Sequence, residues 1–408
     1  MPERHRRLLY VFIVGLALCF NLIGMMGCAL MLGAELPIGK WEMPIQLLLQ
    51  EHSAVLLTAF LPGAILGVSA CRLKPRSWLA PLAALLGACG LLGALIPLYQ
   101  GQQAVQIFGQ RMNTTLGADY SQVAEHSGVD LRPDPFEMRS WFNMPTGRDQ
   151  VRVHEEVVYR TVAGRELVLD LYRPDSAVGS PVLVLVHGGG LEGGARQDTR
   201  AWAQDFAERG YLVASVDYRL AHEASLPAPV EDVLCAVHWL LAQEPSRPRE
   251  NWVGLIGFSS GGHLAILAGY WSAAGWGPSD CPTSVGSIDA VVAVSPVTDL
   301  SFYSRSILGF DPYLDPVRAL RSSPVALAAA RAEGPPLMVV HGHLDTVVDF
   351  SQTQSFMAVR DPQRAATILL DPAWSGHVFY ALPKGLASQI TLFYIDRFLA
   401  WSQSDPSN

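Results

Sequence analysis

The 408-residue sequence predicts an α/β protein, a mostly parallel sheet flanked by helices and preceded by about three transmembrane helices. Three observations predict it. The first hundred residues hold long uncharged apolar runs. From residue 151 onward, valine-rich runs alternate with helix-like segments, and no fixed-period repeat is visible. Half of the residues are hydrophobic and only 16% are charged, against roughly 25% in ordinary soluble domains. The 36 glycines and 28 prolines stay below the share that marks disordered or collagen-like chains.

Leu8 to Ala34 is a run of 27 positions without a charge. A hydrocarbon core of ~30 Å needs about 20 helical residues, so this run can span it. Arg4, Arg6 and Arg7 in front of it also suit a cleaved signal peptide. The apolar part of a signal peptide takes only ~7–15 residues, however, and two more apolar segments follow here. These are Ser53–Cys71, with Pro62 as a tolerable kink, and Trp78–Tyr99 inside an uncharged stretch that runs to Gln110. The expected membrane domain is therefore 1–100, with helices near 8–33, 53–71 and 78–99, and membrane lipid as its partner.

Basic residues orient it. Arg4, Arg6 and Arg7 precede the first helix, and Arg72, Lys74 and Arg76 lie between the second and third. Two crossings separate the clusters, so both face one side, and the loop at 35–52 offers Lys40 alone among basic residues. The positive-inside bias puts the N-terminus in the cytoplasm and everything beyond the third helix outside it. Charge divides the chain at the same place. Residues 1–100 carry seven basic and four acidic residues, leaving 22 basic and 33 acidic for the rest. A part at −11 is repelled by phosphate backbones, which excludes nucleic acid as a partner.

Six cysteines make no disulfide scaffold, and no CxxC or zinc-type spacing occurs. Cys19, Cys28, Cys71 and Cys89 lie in or beside apolar runs and read as small hydrophobes. Cys235 and Cys281 can pair if their part lies outside the cytoplasm, but Cys235 sits on a helical pattern and reads first as a buried free thiol.

Residues 101–150 read as a connector, polar and turn-rich at RPDPF and MPTGRD. Within it, the sequon at Asn113 is read as chance. The third domain, 151–405, opens with strands at 151–160 and 167–172 around the turn Ala163-Gly164. PVLVLVHG (181–188) is near-continuously apolar, as a parallel strand covered on both faces should be. A helix at 198–209, a strand at 211–218 and a helix at 229–243 follow. Then come a strand at 252–258, a helix from Ser260 and a strand at 290–295. A strand at 335–343, a helix at 350–360, a strand at 366–371 and a helix at 385–402 complete the alternation. Residues 299–325 break the rhythm, and their Phe302, Tyr303, Phe310 and Tyr313 suit either a pocket lining or plain core packing.

Gly257-Phe258-Ser259-Ser260-Gly261 lies between a strand and a helix. A serine on so sharp a turn has its hydroxyl pushed into the open at a helix N-terminus, where developing negative charge is favoured. Ser259 is the candidate nucleophile, and Ser260 follows it with a backbone N–H available to an oxyanion. His187-Gly188-Gly189-Gly190 follows an earlier strand, and its glycines leave backbone N–H groups unshielded for the same oxyanion. The string fits no nucleotide-binding loop. A serine nucleophile needs a base and an orienting carboxylate. His377, on the loop after the last strand, is the candidate base; His263 and His343 read as structural. Asp345, on the loop after the strand at 335–343, is the candidate acid, ahead of Asp349, which suits a helix cap, and Asp371, too near His377 in sequence.

Taken together, these motifs resemble the hormone-sensitive-lipase-like and feruloyl-esterase-like group of α/β-hydrolases, which carries HGGG, GxSxGG and HGxxD. Here those are His187–Gly190, Gly257–Gly262 and His341–Asp345, with Gly376-His377 closing the set. The resemblance implies the α/β-hydrolase fold and a serine carboxylesterase, lipase-like, with no metal or organic cofactor. It implies Ser259 as nucleophile, His377 as base, Asp345 as its orienter, and Gly188, Gly189, Gly190 and Ser260 as the oxyanion hole. Leu191 stands where the group often has an aromatic, and the usual long N-terminal cap is not evident, the membrane domain taking its place in sequence, which bears on substrate size and shape. An acyltransferase or serine peptidase on the same triad, or a non-catalytic tethered binding protein, are the alternatives.

Overall fold

A computed structural model of the chain describes residues 3–31, 42–74, 76–138, 151–174, 179–243, 252–278, 280–281, 287–362 and 364–403. Lys40 and the MPTGRD turn lie outside the described residues. The chain packs as two compact units. One contains the front through Val105 together with Gly342–Thr346 and Pro372–Ser388; the other contains Gln106–His341, Val347–Asp371 and Gln389–Asn408.

The first unit holds α1 (Glu3–Met31), α2 (Glu42–Glu51), α3 (Leu57–Leu73), α4 (Leu79–Ala94) and the start of α5 (Ile96–Leu116). Small residues let α3 and α4 touch backbone to backbone. A Cβ on Gly67 would lie 2.8 Å from Ala84 Cα, and one on Gly87 would lie 2.7 Å from Ala64 Cα. Such close approach is how helices associate where lipid removes the hydrophobic drive between them. Buried Asn21 of α1 donates to the Ala83 carbonyl at 2.7 Å. The outer faces are apolar and exposed, with Val11, Phe12 and Leu22 on α1, Leu61 and Ile65 on α3, and Leu85 and Leu92 on α4.

Two stretches, Glu3–Ala29 and Leu79–Leu116, are long and apolar enough to cross a membrane. The expected crossing at 53–71 is shorter than the other two. Ser53–Leu56 is a 3₁₀ turn, and the α-helix that follows has 17 residues. The expected connector is also partly regular: α5 carries its first residues to Leu116, and α6 spans Tyr120–Glu125.

The second unit is built on an eight-stranded sheet in the order β1-β2-β4-β3-β5-β6-β7-β8. Its strands are β1 (Val151–Val162), β2 (Arg165–Pro174), β3 (Val182–Val186), β4 (Leu212–Val216), β5 (Val253–Phe258), β6 (Ala290–Val294), β7 (Leu337–Val340) and β8 (Thr367–Leu370). β1 and β2 are antiparallel to their neighbours and β4 through β8 run parallel. The β1–β2 turn has φ of +49° at Ala163 and +83° at Gly164, the left-handed pair that a two-residue hairpin favours. β1 is an edge strand, mostly exposed, charged and interrupted by register shifts, features that blunt an open edge.

All five residues of β3 and of β4 are buried. The helices between strands are α7 (Arg200–Glu208), α8 (Ala228–Gln243), α9 (Ser260–Ala273) and α10 (Phe350–Val359), and α11 (Leu386–Ser402) ends the fold. Arg132 ties α7 to α11 through Asp205 and Asp396, and Phe108 of α5 meets Tyr394 of α11 edge to face. From β3 the chain runs outward to β4 and then returns past β3 to β5. A crevice for ligand lies at the carboxyl ends of parallel strands where the winding reverses in this way. Residues 299–325 form short helical turns. There Tyr303 is buried and Phe310 packs on the core, while Tyr313 is exposed.

One reading is corrected. Cys235 is not a free thiol: it is disulfide-bonded to Cys281, with Cα atoms 5.4 Å apart. The helical pattern does bury Cys235, but Cys281 reaches it from the segment after α9.

Candidate active site

β5 ends at Phe258 and α9 begins at Ser260, so a single residue, Ser259, makes the turn. Its φ is +52° and ψ −119°, a conformation costing of order 1–3 kcal/mol for a residue with a Cβ. The neighbours over-determine it. The Ser259 N–H donates to the Val294 carbonyl at 2.8 Å, and its own carbonyl accepts from His263 N–H at 3.1 Å. A Cβ on Gly257 would collide with the Gly261 carbonyl, and one on Gly261 with the carbonyls of Val186 and His187. The glycines of the motif are thus required by close backbone packing. The Ser259 hydroxyl is not used to cap α9.

The loop after β3 lies against this elbow. A Cβ on Gly188 would stand 2.9 Å from the Phe258 carbonyl oxygen and 3.1 Å from Ser259 Cβ. Gly189 and Gly190 take φ of +121° and +67°. Tyr218 anchors the loop: its ring stacks on His187 at 4.3 Å, and its hydroxyl donates to the His187 carbonyl at 2.9 Å. His187 itself is buried, and burial lowers its pKa. It serves as a wall of the loop. Gly188 and Ser259 are therefore neighbours, and Ser260 is fully buried at the first turn of α9.

Asp345 and His377 are brought together by the loops that follow β7 and β8. Asp345 Oδ2 accepts from His377 Nδ1 at 2.7 Å, with both side chains nearly buried. The two loops are laced by Leu344 N–H to the Ser375 carbonyl at 3.0 Å and His343 N–H to the Pro372 carbonyl at 3.2 Å. Gly342 is needed there, since a Cβ would collide with the Ser375 carbonyl. A carboxylate on Nδ1 favours the tautomer that carries its proton there.

His263 and His341 have structural places. His263 is buried with Nδ1 on the Val297 carbonyl at 3.1 Å, and burial holds its pKa down to about 4. His341 is buried between Thr353 and the Val348 carbonyl. His343 is exposed. Asp349 caps α10 by accepting from Ser351 N–H, and Asp371 pairs with Arg111.

Sequence reasoning missed Gln50 and Glu51 at the end of α2. Both are buried. Gln50 Oε1 accepts from Gly376 N–H at 3.1 Å, and Glu51 Oε1 accepts from the Ser375 hydroxyl at 2.9 Å. Burial pushes the Glu51 carboxyl up to about 7, against the pull of its bonds from Ser375, Ala387 and Ser388. The only sequence signal was a carboxylate immediately before an apolar run, which reads equally well as a solvated loop.

The sheet order and the one-residue elbow after β5, with a carboxylate-bound histidine after the last strand, are those of an α/β-hydrolase fold. Residues 169–359 match the family pattern described as BD-FAE. Esterase LipQ of Mycobacterium tuberculosis is 25% identical over 369 residues, covering 84% of this chain and 82% of that protein. Esterase LipC of the same organism is 29% identical over 216 residues, 49% of this chain and 53% of that protein. A non-reducing polyketide synthase of Stereocaulon alpinum shares 33% identity over 128 residues, where the chain spans only 5% of that protein's length. Among solved structures, brefeldin A esterase, a bacterial homologue of human hormone-sensitive lipase, superposes with a TM-score of 0.50 at 22% identity. That match covers 72% of this chain and 86% of that one. Phosphonate-inhibited esterase B of Lactobacillus rhamnosis gives the same score and identity over 71% and 96%.

Proposed function

We propose that the protein is a membrane-anchored serine carboxylesterase, lipase-like, that cleaves carboxylic esters through an acyl-Ser259 intermediate. The observation that carries this reading is the strained Ser259 elbow with the Gly188 loop packed against it. Strain of this kind persists where it presents a reactive group. His377, oriented by Asp345, takes the Ser259 proton as the hydroxyl oxygen attacks the ester carbonyl. The backbone N–H groups of Gly188–Gly190 and Ser260 hold the resulting oxyanion. Protonated His377 then gives its proton to the leaving alcohol, and water repeats the sequence on the acyl-enzyme. No cofactor enters this cycle. Sequence similarity to LipQ and LipC supports ester bonds as the target.

The anchoring comprises three crossings, with the N-terminus cytoplasmic and the catalytic domain outside. Support comes from the uncovered apolar faces of α1, α3 and α4 and from the Cys235–Cys281 disulfide, a bond that persists in oxidising compartments. An esterase tethered this way is suited to apolar or lipid-borne esters.

The test is hydrolysis of p-nitrophenyl esters from acetyl to palmitoyl by the full chain in detergent micelles, beside its Ser259→Ala variant. Loss of turnover and of fluorophosphonate labelling in the variant is expected. Equal activity in both folded proteins would refute the assignment, and equal rates on soluble and bilayer-borne esters would remove the lipid preference.

A further inference from the structure

The run Ser375-Gly376-His377 is held from two directions within the first unit. From the Asp345 loop come the Leu344 N–H on the Ser375 carbonyl and the Asp345 carboxylate on His377. From α2 come Gln50, accepting from Gly376 N–H, and Glu51, accepting from the Ser375 hydroxyl. The α2 side is itself fixed. Gln50 Nε2 donates to the Met31 carbonyl at 3.2 Å, and Glu51 Oε2 accepts from the N–H of Ala387 in α11 at 2.8 Å. Glu51 has no solvent exposure, and a Cβ on Gly385 would lie 2.8 Å from its Cβ. Burying a carboxyl costs several kcal/mol unless its oxygens are bonded, and here each oxygen has a partner. An apolar side chain would fill this space more cheaply, but it could accept neither the Ser375 hydroxyl nor the Ala387 N–H.

We propose that Gln50 and Glu51 are positioning residues for the base: they hold the backbone that carries His377, so the helical front aims the imidazole as well as anchoring the chain. This rests on His377 acting as the base. Misplacing a general base by a fraction of an ångström lowers the chemical step and leaves ground-state binding intact, which separates kcat from KM.

The experiment uses the full chain in detergent with a short-chain p-nitrophenyl ester. Active sites are counted by fluorophosphonate titration, and Gln50→Ala, Glu51→Ala, Glu51→Gln and Ser375→Ala are compared. The expected result is a fall in kcat per titrated site of about tenfold in the two alanine variants at α2, with KM nearly unchanged. Glu51→Gln, which keeps an acceptor in place, recovers most of the loss. Fewer titratable sites with unchanged kcat per site would mean a merely structural brace and would overturn the proposal. If Glu51→Ala does not fold, Gln50→Ala and Ser375→Ala, each removing one bond, decide the matter by the same ratio. Ser259→Ala distinguishes the two failures: residual turnover there removes the esterase reading itself, whereas a dead Ser259→Ala beside unaffected α2 variants removes only the positioning role.

Discussion

Alanine at Gly188 adds one methyl group at the point where the loop after β3 meets the nucleophile elbow. That carbon would stand 2.9 Å from the Phe258 carbonyl oxygen and 3.1 Å from Ser259 Cβ. Ordinary contact begins near 3.4 Å, so the loop must retreat by several tenths of an ångström from a strand end that cannot yield. Gly188 lacks a positive φ, so the alanine backbone is itself unstrained. Overpacking of this sort costs about 1–3 kcal/mol of stability, while withdrawal of one oxyanion donor costs about 3–4 kcal/mol in the chemical step, a factor of 10²–10³ in kcat. Gly164→Ala, in the β1–β2 turn, is the control: its φ is +83° with nothing within 4 Å of the added Cβ, so it incurs about 1–2 kcal/mol of left-handed strain away from the loop after β3. The assay is kcat on a short-chain ester per titrated active site, with thermal midpoints of both variants in the same detergent. Equal kcat losses in the two variants, or full activity in Gly188→Ala, would refute the argument that this loop shapes the oxyanion site.

Three further outcomes follow from the geometry. Asp345→Asn should keep KM and lower kcat by ~10³–10⁴, because an amide facing Nδ1 favours the wrong tautomer; ester kinetics near neutral pH check it. The Glu51 carboxyl titrates near 7 in the folded chain against an ordinary 4.5. The stability this shift confers is complete below pH 4.5 and is lost as pH rises through 7, about 3 kcal/mol in all; a thermal midpoint that falls less over that range in Glu51→Gln is the expected result. Removing the Cys235–Cys281 bond, which closes a separation of 46 residues, should cost about 4 kcal/mol, read as a lower midpoint in Cys281→Ser.

Legibility followed locality. Val182–Val186 is apolar at every position and is buried at every position, so periodicity alone placed β3, and the glycines of the elbow and of the loop after β3 sit where a strand end must turn sharply. Asp345 and His377 could be singled out because each closely follows a parallel strand, and the structure shows the two hydrogen-bonded to each other. What escaped was set by contacts between distant segments. The bond from Ser375 to Glu51 joins residues 324 apart, and nothing in the residues around Glu51 distinguishes a buried acceptor from a solvated loop charge. Cys235 was misread for the same reason: its own helix shows that it is buried, and only the fold shows what it is buried against. The late start of α3 reflects a 3₁₀ turn at Ser53–Leu56, which hydropathy does not register.

The bonds from Gln50 and Glu51 to the His377 loop bear on what proteolysis would release. A fragment cut after the helical front would leave with Ser259, the glycine loop and the acid–base pair in its sequence, yet without the two acceptors for Gly376 N–H and the Ser375 hydroxyl. On the positioning role proposed for Gln50 and Glu51, such a fragment would turn over esters at least about tenfold more slowly than the full chain.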